Sequence, residues 1–120
     1  MEKIIVSAGS SRKREQHFRH CKSAGIPYVV IEGGHGRWSV LLDLIWCEYD
    51  FTENASTLAR ARIVELLESD KTSKRAIGNA GKDSVQLFRL RSLEEAEKLA
   101  EFLWELAMDP ANTVPLRIPA

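Results

Sequence analysis

The chain has 120 residues, of which 44% are hydrophobic and 28% are charged, and its formal net charge is zero. This length and composition suit one domain with its own apolar core, which needs no structural metal or disulfide. Cys21 and Cys47 fall in predicted regular elements and outside any zinc-ligand spacing, so we expect free buried thiols in a reducing compartment and no metal. We also expect a cytoplasmic protein without a cofactor. No apolar run reaches the roughly 18 residues of a membrane helix, so we expect no membrane partner.

The charges are distributed unevenly along the chain. Residues 1–37 and 71–92 carry net charges of +4 and +5, whereas residues 38–70 and 93–120 carry −5 and −4. If folding brings the two basic blocks together, they will create a positive potential that attracts an anionic partner.

The first part of the chain predicts a strand, a helix and a second strand. Residues 3–6 form a short run rich in β-branched side chains, which is typical of a strand. Ser10 or Ser11 can cap a helix over residues 12–24, which Gly25 would end. The second strand begins at Tyr28. Because a helix connects them, the first two strands should run parallel.

Residues 28–46 predict a β-hairpin. Gly33, Gly34 and Gly36 supply a short turn that needs positive φ angles. Beyond the turn, every even position from Trp38 to Trp46 is apolar, which is the alternation of a strand with one buried face.

The main alternative for this segment is a helix over residues 38–49, because Trp38, Leu41 and Ile45 also fall at helical spacing. That helix would give a parallel, Rossmann-like α/β layer. We favour the strand, since Leu44 and Phe51 would leave such a helix apolar on nearly all sides.

The rest of the chain predicts two helices, one strand and a long basic connection. In order, these are a helix over 55–69 capped by Thr52 or Asn54, a loop over 70–83, a strand over 85–90, and a helix over 93–108 opened by the capping box Ser92–Glu95 and ended by Asp109-Pro110.

The element order β-α-β-β-α-β, followed by a helix, predicts an α+β fold of the ferredoxin-like split βαβ type, with the fourth strand parallel to the third. Residues 1–109 should form a single domain. Residues 110–120 should form an extended arm, because apolar Val114, Leu116 and Ile118 alternate with prolines. Phe102 and Trp104 widen the apolar face of the terminal helix, so we expect a homodimer or higher oligomer formed through this helix or the arm. The alternative is an arm that folds back over Phe102 and Trp104 of its own chain.

This strand order would place three loops, residues 7–14, 33–37 and 71–83, at one end of the sheet, which we call the basic pole. The first loop ends at a helix N-terminus, where backbone N–H groups and the helix dipole favour phosphate. The predicted ligand-binding residues are Ser10, Ser11, Arg12, Arg14, Gly34, His35, Arg37, Lys74 and Arg75.

The basic pole predicts a module that binds a phosphate-bearing ligand. A nucleotide is favoured over a nucleic-acid backbone, because zero net charge opposes nonspecific binding to a polyanion. One alternative is a metal-independent enzyme that transfers or hydrolyses a phosphoryl or glycosyl group with His35 as its acid or base. Another is a protein–protein interaction module. The chain contains no nucleophile–base pair and no Walker loop, so binding is favoured over catalysis.

Overall fold

A computed structural model of the chain describes residues 5–8, 28–34, 37–44 and 49–115. The predicted helix over residues 12–24 lies outside these ranges. The same holds for five of the predicted site residues, which are Ser10, Ser11, Arg12, Arg14 and His35.

The described residues form seven strands, two α-helices and one short 3-10 helix. In chain order they are β1 Ile5–Ala8, β2 Tyr28–Gly34, β3 Arg37–Asp43, β4 Tyr49–Phe51, α1 Glu53–Glu68, β5 Gly78–Ala80, β6 Ser84–Leu90, α2 Leu93–Met108, the 3-10 helix Pro110–Asn112, and β7 Thr113–Pro115.

Five of these strands form one sheet in the order β1-β2-β3-β6-β5, and β4 pairs with β7 separately. β1 and β2 are parallel, as predicted, and all the other neighbours in the sheet are antiparallel. The α+β class is therefore confirmed. The helical alternative for residues 38–49 and the Rossmann-like layer are wrong, because residues 37–43 form a strand with antiparallel neighbours on both sides.

The fourth predicted strand, β6, runs antiparallel to β3, so the expected parallel orientation is wrong. The finer ferredoxin-like arrangement is not confirmed. The direction of β6 differs from the prediction because of β5, a three-residue strand within the segment predicted as a loop. β5 pairs antiparallel with β6, so the chain crosses the sheet once more before β6 begins.

The predicted hairpin between β2 and β3 is confirmed. Gly34 pairs with Arg37, so residues 35–36 alone connect the two strands. Gly33 has a φ of 125°, and a Cβ atom at this position would overlap the Arg37 carbonyl oxygen. The turn therefore requires glycine at Gly33, as the sequence indicates.

Both helices begin at the predicted caps and pack on the sheet. The Thr52 hydroxyl accepts a hydrogen bond from the Ala55 N–H at 3.2 Å, and the Ser92 hydroxyl accepts one from the Glu95 N–H at 3.1 Å. α2 packs against β2 and β3, and α1 packs against β5. The largest fully buried side chains of the core between these layers include Ile31, Val40, Leu42, Leu87, Leu90, Leu99 and Leu103.

The wide apolar face of α2 is covered within the single chain. Trp104 belongs to the core and is 7% exposed, and Phe102 is packed against the same core. Beyond α2, β7 pairs with β4 of the same chain. The face thus needs no second subunit to cover it, and the oligomer stays a prediction. No helix in the described ranges combines the length and the apolar character needed to cross a membrane.

Candidate functional site

Two arginines lie on neighbouring strands at one end of the sheet. β3 and β6 are paired there through Trp38 and Leu90. Arg37 precedes Trp38 and Arg91 follows Leu90, so each arginine is the chain neighbour of one member of this pair. Both residues are exposed.

A lysine lies on the next backbone segment of the same end. Thr72 forms a β-bridge with Leu90 on the side away from β3. The Arg91 N–H donates a hydrogen bond to the Lys71 carbonyl oxygen at 3.0 Å. Arg37, Arg91 and Lys71 therefore occupy three adjacent segments, and we call these three residues the basic row.

A tight turn adds two cations beside this row. The Ala76 N–H donates to the Ser73 carbonyl at 3.0 Å, which makes Lys74 and Arg75 the central residues of a β-turn. Both are exposed. The Ser73 N–H donates to the Arg89 carbonyl at 2.9 Å, so the turn is fixed to the end of β6.

β6 contains a bulge where it approaches this turn. Val40 pairs with Leu87, whereas Trp38 pairs with Leu90, so β6 has one more residue than β3 between these pairs. Arg89 lies within the bulge and has a φ of 68°, in the left-handed region. This conformation lets Leu87 and Leu90 both be buried although they are three residues apart.

The cations of this end have few acidic partners in the described part of the chain. Lys71 Nζ lies 3.5 Å from Glu95 Oε1. Arg37, Arg91, Lys74 and Arg75 make no ion pair with any described residue. Their positive charge is therefore available to an anion from solution.

A cleft of about 440 Å³ opens beside the basic row. The end of α1 and the following residues line it with Glu68, Ser69 and Asp70, and Lys74 and Arg91 line it as well. Cations of the turn and the row thus share one cleft with two carboxylates.

Three hydroxyl groups also line this cleft, and they differ in their hydrogen bonding. The Ser69 and Thr72 hydroxyls both donate to the Leu66 carbonyl, at 2.9 and 3.2 Å. The Ser73 hydroxyl is buried and has no hydrogen-bond partner among the described residues. An unmade bond of this kind costs about 1–3 kcal/mol.

Four of the predicted site residues lie together at this end. Gly34 ends β2 beside Arg37, and Lys74 and Arg75 form the turn on the other side of the row. The ligand contacts expected of these residues, and of the five that lie outside the described ranges, stay predictions.

One part of the predicted basic pole is misplaced. Gly81 and Lys82 belong to the connection between β5 and β6, at the opposite end of the sheet. There the Leu44 N–H donates to the Asp83 carbonyl at 2.7 Å, and Lys82 Nζ lies 3.5 Å from Glu53 Oε1. The correction again follows from β5, which divides the predicted loop of residues 71–83 between the two ends.

Arg91 is not among the residues predicted from the sequence, although the structure places it between Arg37 and Lys71 in the row. Arg91 follows a strand whose apolar residues Leu87 and Leu90 are spaced by three positions, while a regular strand face repeats every two. That irregular spacing is the feature of the sequence that indicates a bulge. The bulge in turn brings Arg91 to the strand next to Arg37.

Neither metal ligands nor similar proteins identify the chemistry of this site. The described ranges contain no group of three or more His, Cys, Asp or Glu side chains that could hold a metal ion. Comparisons with protein-family models, with curated proteins and with solved structures found no match.

Proposed function

We propose that the protein binds a small phosphate-bearing ligand, such as a nucleotide, at the basic row. The observation that supports this proposal is the placement of Arg37, Arg91 and Lys71 on three adjacent backbone segments. Neighbouring strands lie about 4.8 Å apart, so the long side chains of adjacent segments can reach one phosphate group. Two guanidinium groups can each donate paired hydrogen bonds to phosphate oxygens.

The size of the basic surface favours a small ligand over a long polyanion. The row is bordered by acidic residues on two sides, with Glu94 and Glu95 in the first turn of α2 and Glu68 and Asp70 near the end of α1. These carboxylates would repel phosphates that extend beyond the row. A nucleotide with one to three phosphates needs no larger surface.

The test is a calorimetric titration of adenosine diphosphate into the parent chain and into Arg37→Ala and Arg91→Ala. A hydrogen bond to a charged group contributes about 1.5–3 kcal/mol, so each change should weaken binding at least about tenfold. Lys82→Ala is the matched control, because it removes one positive charge at the opposite end of the sheet. The control should bind as the parent does. If all four proteins bind equally, or none binds, the proposal is wrong.

Salt dependence separates a nucleotide from a nucleic acid. Binding to a polyanion releases many counterions, so its affinity falls steeply as salt increases. We expect adenosine diphosphate to remain bound at about 0.15 M salt, where surface charges are already largely screened beyond 8 Å. An oligonucleotide that binds more tightly than the nucleotide under these conditions would support the nucleic-acid alternative.

A further inference from the structure

The cleft beside the basic row contains groups that phosphate binding does not use. Its lining includes Glu68 and Asp70, both exposed and without an ion-pair partner among the described residues. A carboxylate repels phosphate, but it is a strong acceptor for hydroxyl donors. The cleft thus offers cations to one part of a ligand and acceptors to another.

The size and polarity of the cleft fit a group larger than phosphate. Its volume of about 440 Å³ falls within the range of roughly 300–1,000 Å³ that is typical of small-molecule sites. Seven of its nine lining residues are polar or charged, and only Leu67 and Ala76 are apolar. A polar group with several hydroxyls suits this lining better than an apolar group does.

Ser73 adds a second, independent observation. Its hydroxyl is buried without a partner in the described part of the chain, although its backbone is held by hydrogen bonds to Arg89 and Ala76. Rotation about one side-chain bond redirects this hydroxyl without moving the backbone. A ligand in the cleft can then provide the missing partner.

We propose that the cleft holds the sugar of a phosphorylated ligand, an inference that rests on the phosphate site proposed above. Arg91, which belongs to both the basic row and the lining of the cleft, contacts the phosphate, while sugar hydroxyls donate hydrogen bonds to Glu68 and Asp70. Adjacent hydroxyls match the two oxygens of a carboxylate, so a ribose should bind better than a deoxyribose. The ligand class is a sugar phosphate, either free or as part of a nucleotide.

The experiment compares four probes by calorimetry, which are inorganic phosphate, ribose 5-phosphate, 2-deoxyribose 5-phosphate and adenosine monophosphate. With the parent chain, ribose 5-phosphate should bind at least about tenfold more tightly than inorganic phosphate, as expected for added hydrogen bonds to charged groups. The affinity for 2-deoxyribose 5-phosphate should lie between the affinities for these two probes. Tighter binding of adenosine monophosphate than of ribose 5-phosphate identifies a nucleotide as the source of the sugar, and equal binding identifies a free sugar phosphate.

Two variants assign the sugar contacts to the carboxylates. Glu68→Gln and Asp70→Asn should each lower the preference for ribose 5-phosphate over phosphate several-fold, while the affinity for phosphate itself stays unchanged or rises. Glu97→Gln is the matched control, since Glu97 is an exposed carboxylate on α2 outside the cleft. This control should leave the affinity for every probe unchanged. Thermal unfolding of each variant verifies that the fold is intact.

The outcomes separate this inference from the proposal on which it rests. If phosphate binds and Arg91→Ala abolishes its binding, but ribose 5-phosphate binds no more tightly, the sugar site is wrong and the phosphate site stands. Retention of the sugar preference in both carboxylate variants also overturns the sugar site. Failure of all phosphorylated probes to bind overturns both.

Discussion

Ser73 and Arg89 are joined by a backbone hydrogen bond of 2.9 Å, in which the Ser73 N–H donates to the carbonyl of a residue with a φ of 68°. A left-handed conformation costs a residue with a side chain roughly 1–2 kcal/mol. The burial of Leu90 and the bond to Ser73 offset this cost. The strained residue thus lies between the hydrophobic core and the turn that carries Lys74 and Arg75.

Arg89→Gly should relieve the strain at the bulge. Glycine adopts the left-handed region freely but loses more entropy on folding, so we expect stability between unchanged and about 1 kcal/mol above the parent. Arg89→Val should lose at least about 1 kcal/mol, because a β-branched side chain is poorly accommodated at positive φ. Urea unfolding of the two variants measures both effects. Equal stability of the glycine and valine variants would contradict the left-handed conformation.

The neighbouring arginines Arg37 and Arg91 should lower the stability of the unliganded protein. Like charges directly opposite each other on neighbouring strands destabilise a sheet by about 0.2–1 kcal/mol. Arg91→Gln should therefore raise the melting temperature at low salt, and the gain should shrink at about 1 M salt, where screening is strong. Arg60→Gln, an exposed change on α1, serves as the control. A gain that is independent of salt would show that repulsion is not its cause.

Two glycines of the segment between α1 and β6 should respond differently to alanine. A Cβ atom at Gly78 would overlap Ile63 Cγ2 on α1, so Gly78→Ala should cost about 1–3 kcal/mol through overpacking. At Gly81 the nearest atom would be the Ser84 carbonyl oxygen at 3.6 Å, an ordinary contact. Gly81→Ala should be neutral or slightly stabilising. Unfolding midpoints of the pair measure the difference, and equal losses would argue against close packing of α1 on β5.

Removal of the arm should destabilise the chain. A form ending at Asp109 loses the pairing of β7 with β4 and the 2.9 Å bond from the Thr52 N–H to the Asn112 carbonyl. At about 1 kcal/mol for each net hydrogen bond, we expect a loss of roughly 1–3 kcal/mol. A form ending at Pro115 keeps these contacts and should therefore be more stable than the form ending at Asp109.

Sedimentation of the same truncated forms tests the predicted assembly. If the whole chain sediments as a monomer at high concentration, the predicted oligomer is wrong. If the form ending at Asp109 remains oligomeric, the contact between subunits belongs to α2 and excludes the arm.

The sequence was sufficient where local patterns and packing agree. Gly33 needs positive φ, Val40 and Leu42 alternate with less buried residues, and Ser92 begins a helix with a strong amphipathic pattern. Each of these features is decided by neighbours within a few residues. The hairpin and α2 were therefore predictable.

The sequence was insufficient where distant packing decides the structure. β5 consists of glycine, asparagine and alanine, which have little intrinsic preference for strands, and its position depends on contact with α1 and on pairing with β6. Missing β5 reversed the predicted direction of β6. For the site, Arg37, Lys74 and Arg75 were selected from their charge and their positions in predicted loops, whereas the position of Arg91 follows from the bulge.

The turn at residues 73–76 also influences how the sheet meets other chains. β5 is the last strand in the described sheet order, and open strand edges invite pairing with further strands and hence aggregation. Here the paired edge is short and is interrupted by a turn with two exposed cations, Lys74 and Arg75. An incoming strand would find no long, uncharged edge to extend. Neutralising both cations should therefore reduce solubility as well as anion binding, so the same two charges link the colloidal stability of the protein to its proposed function.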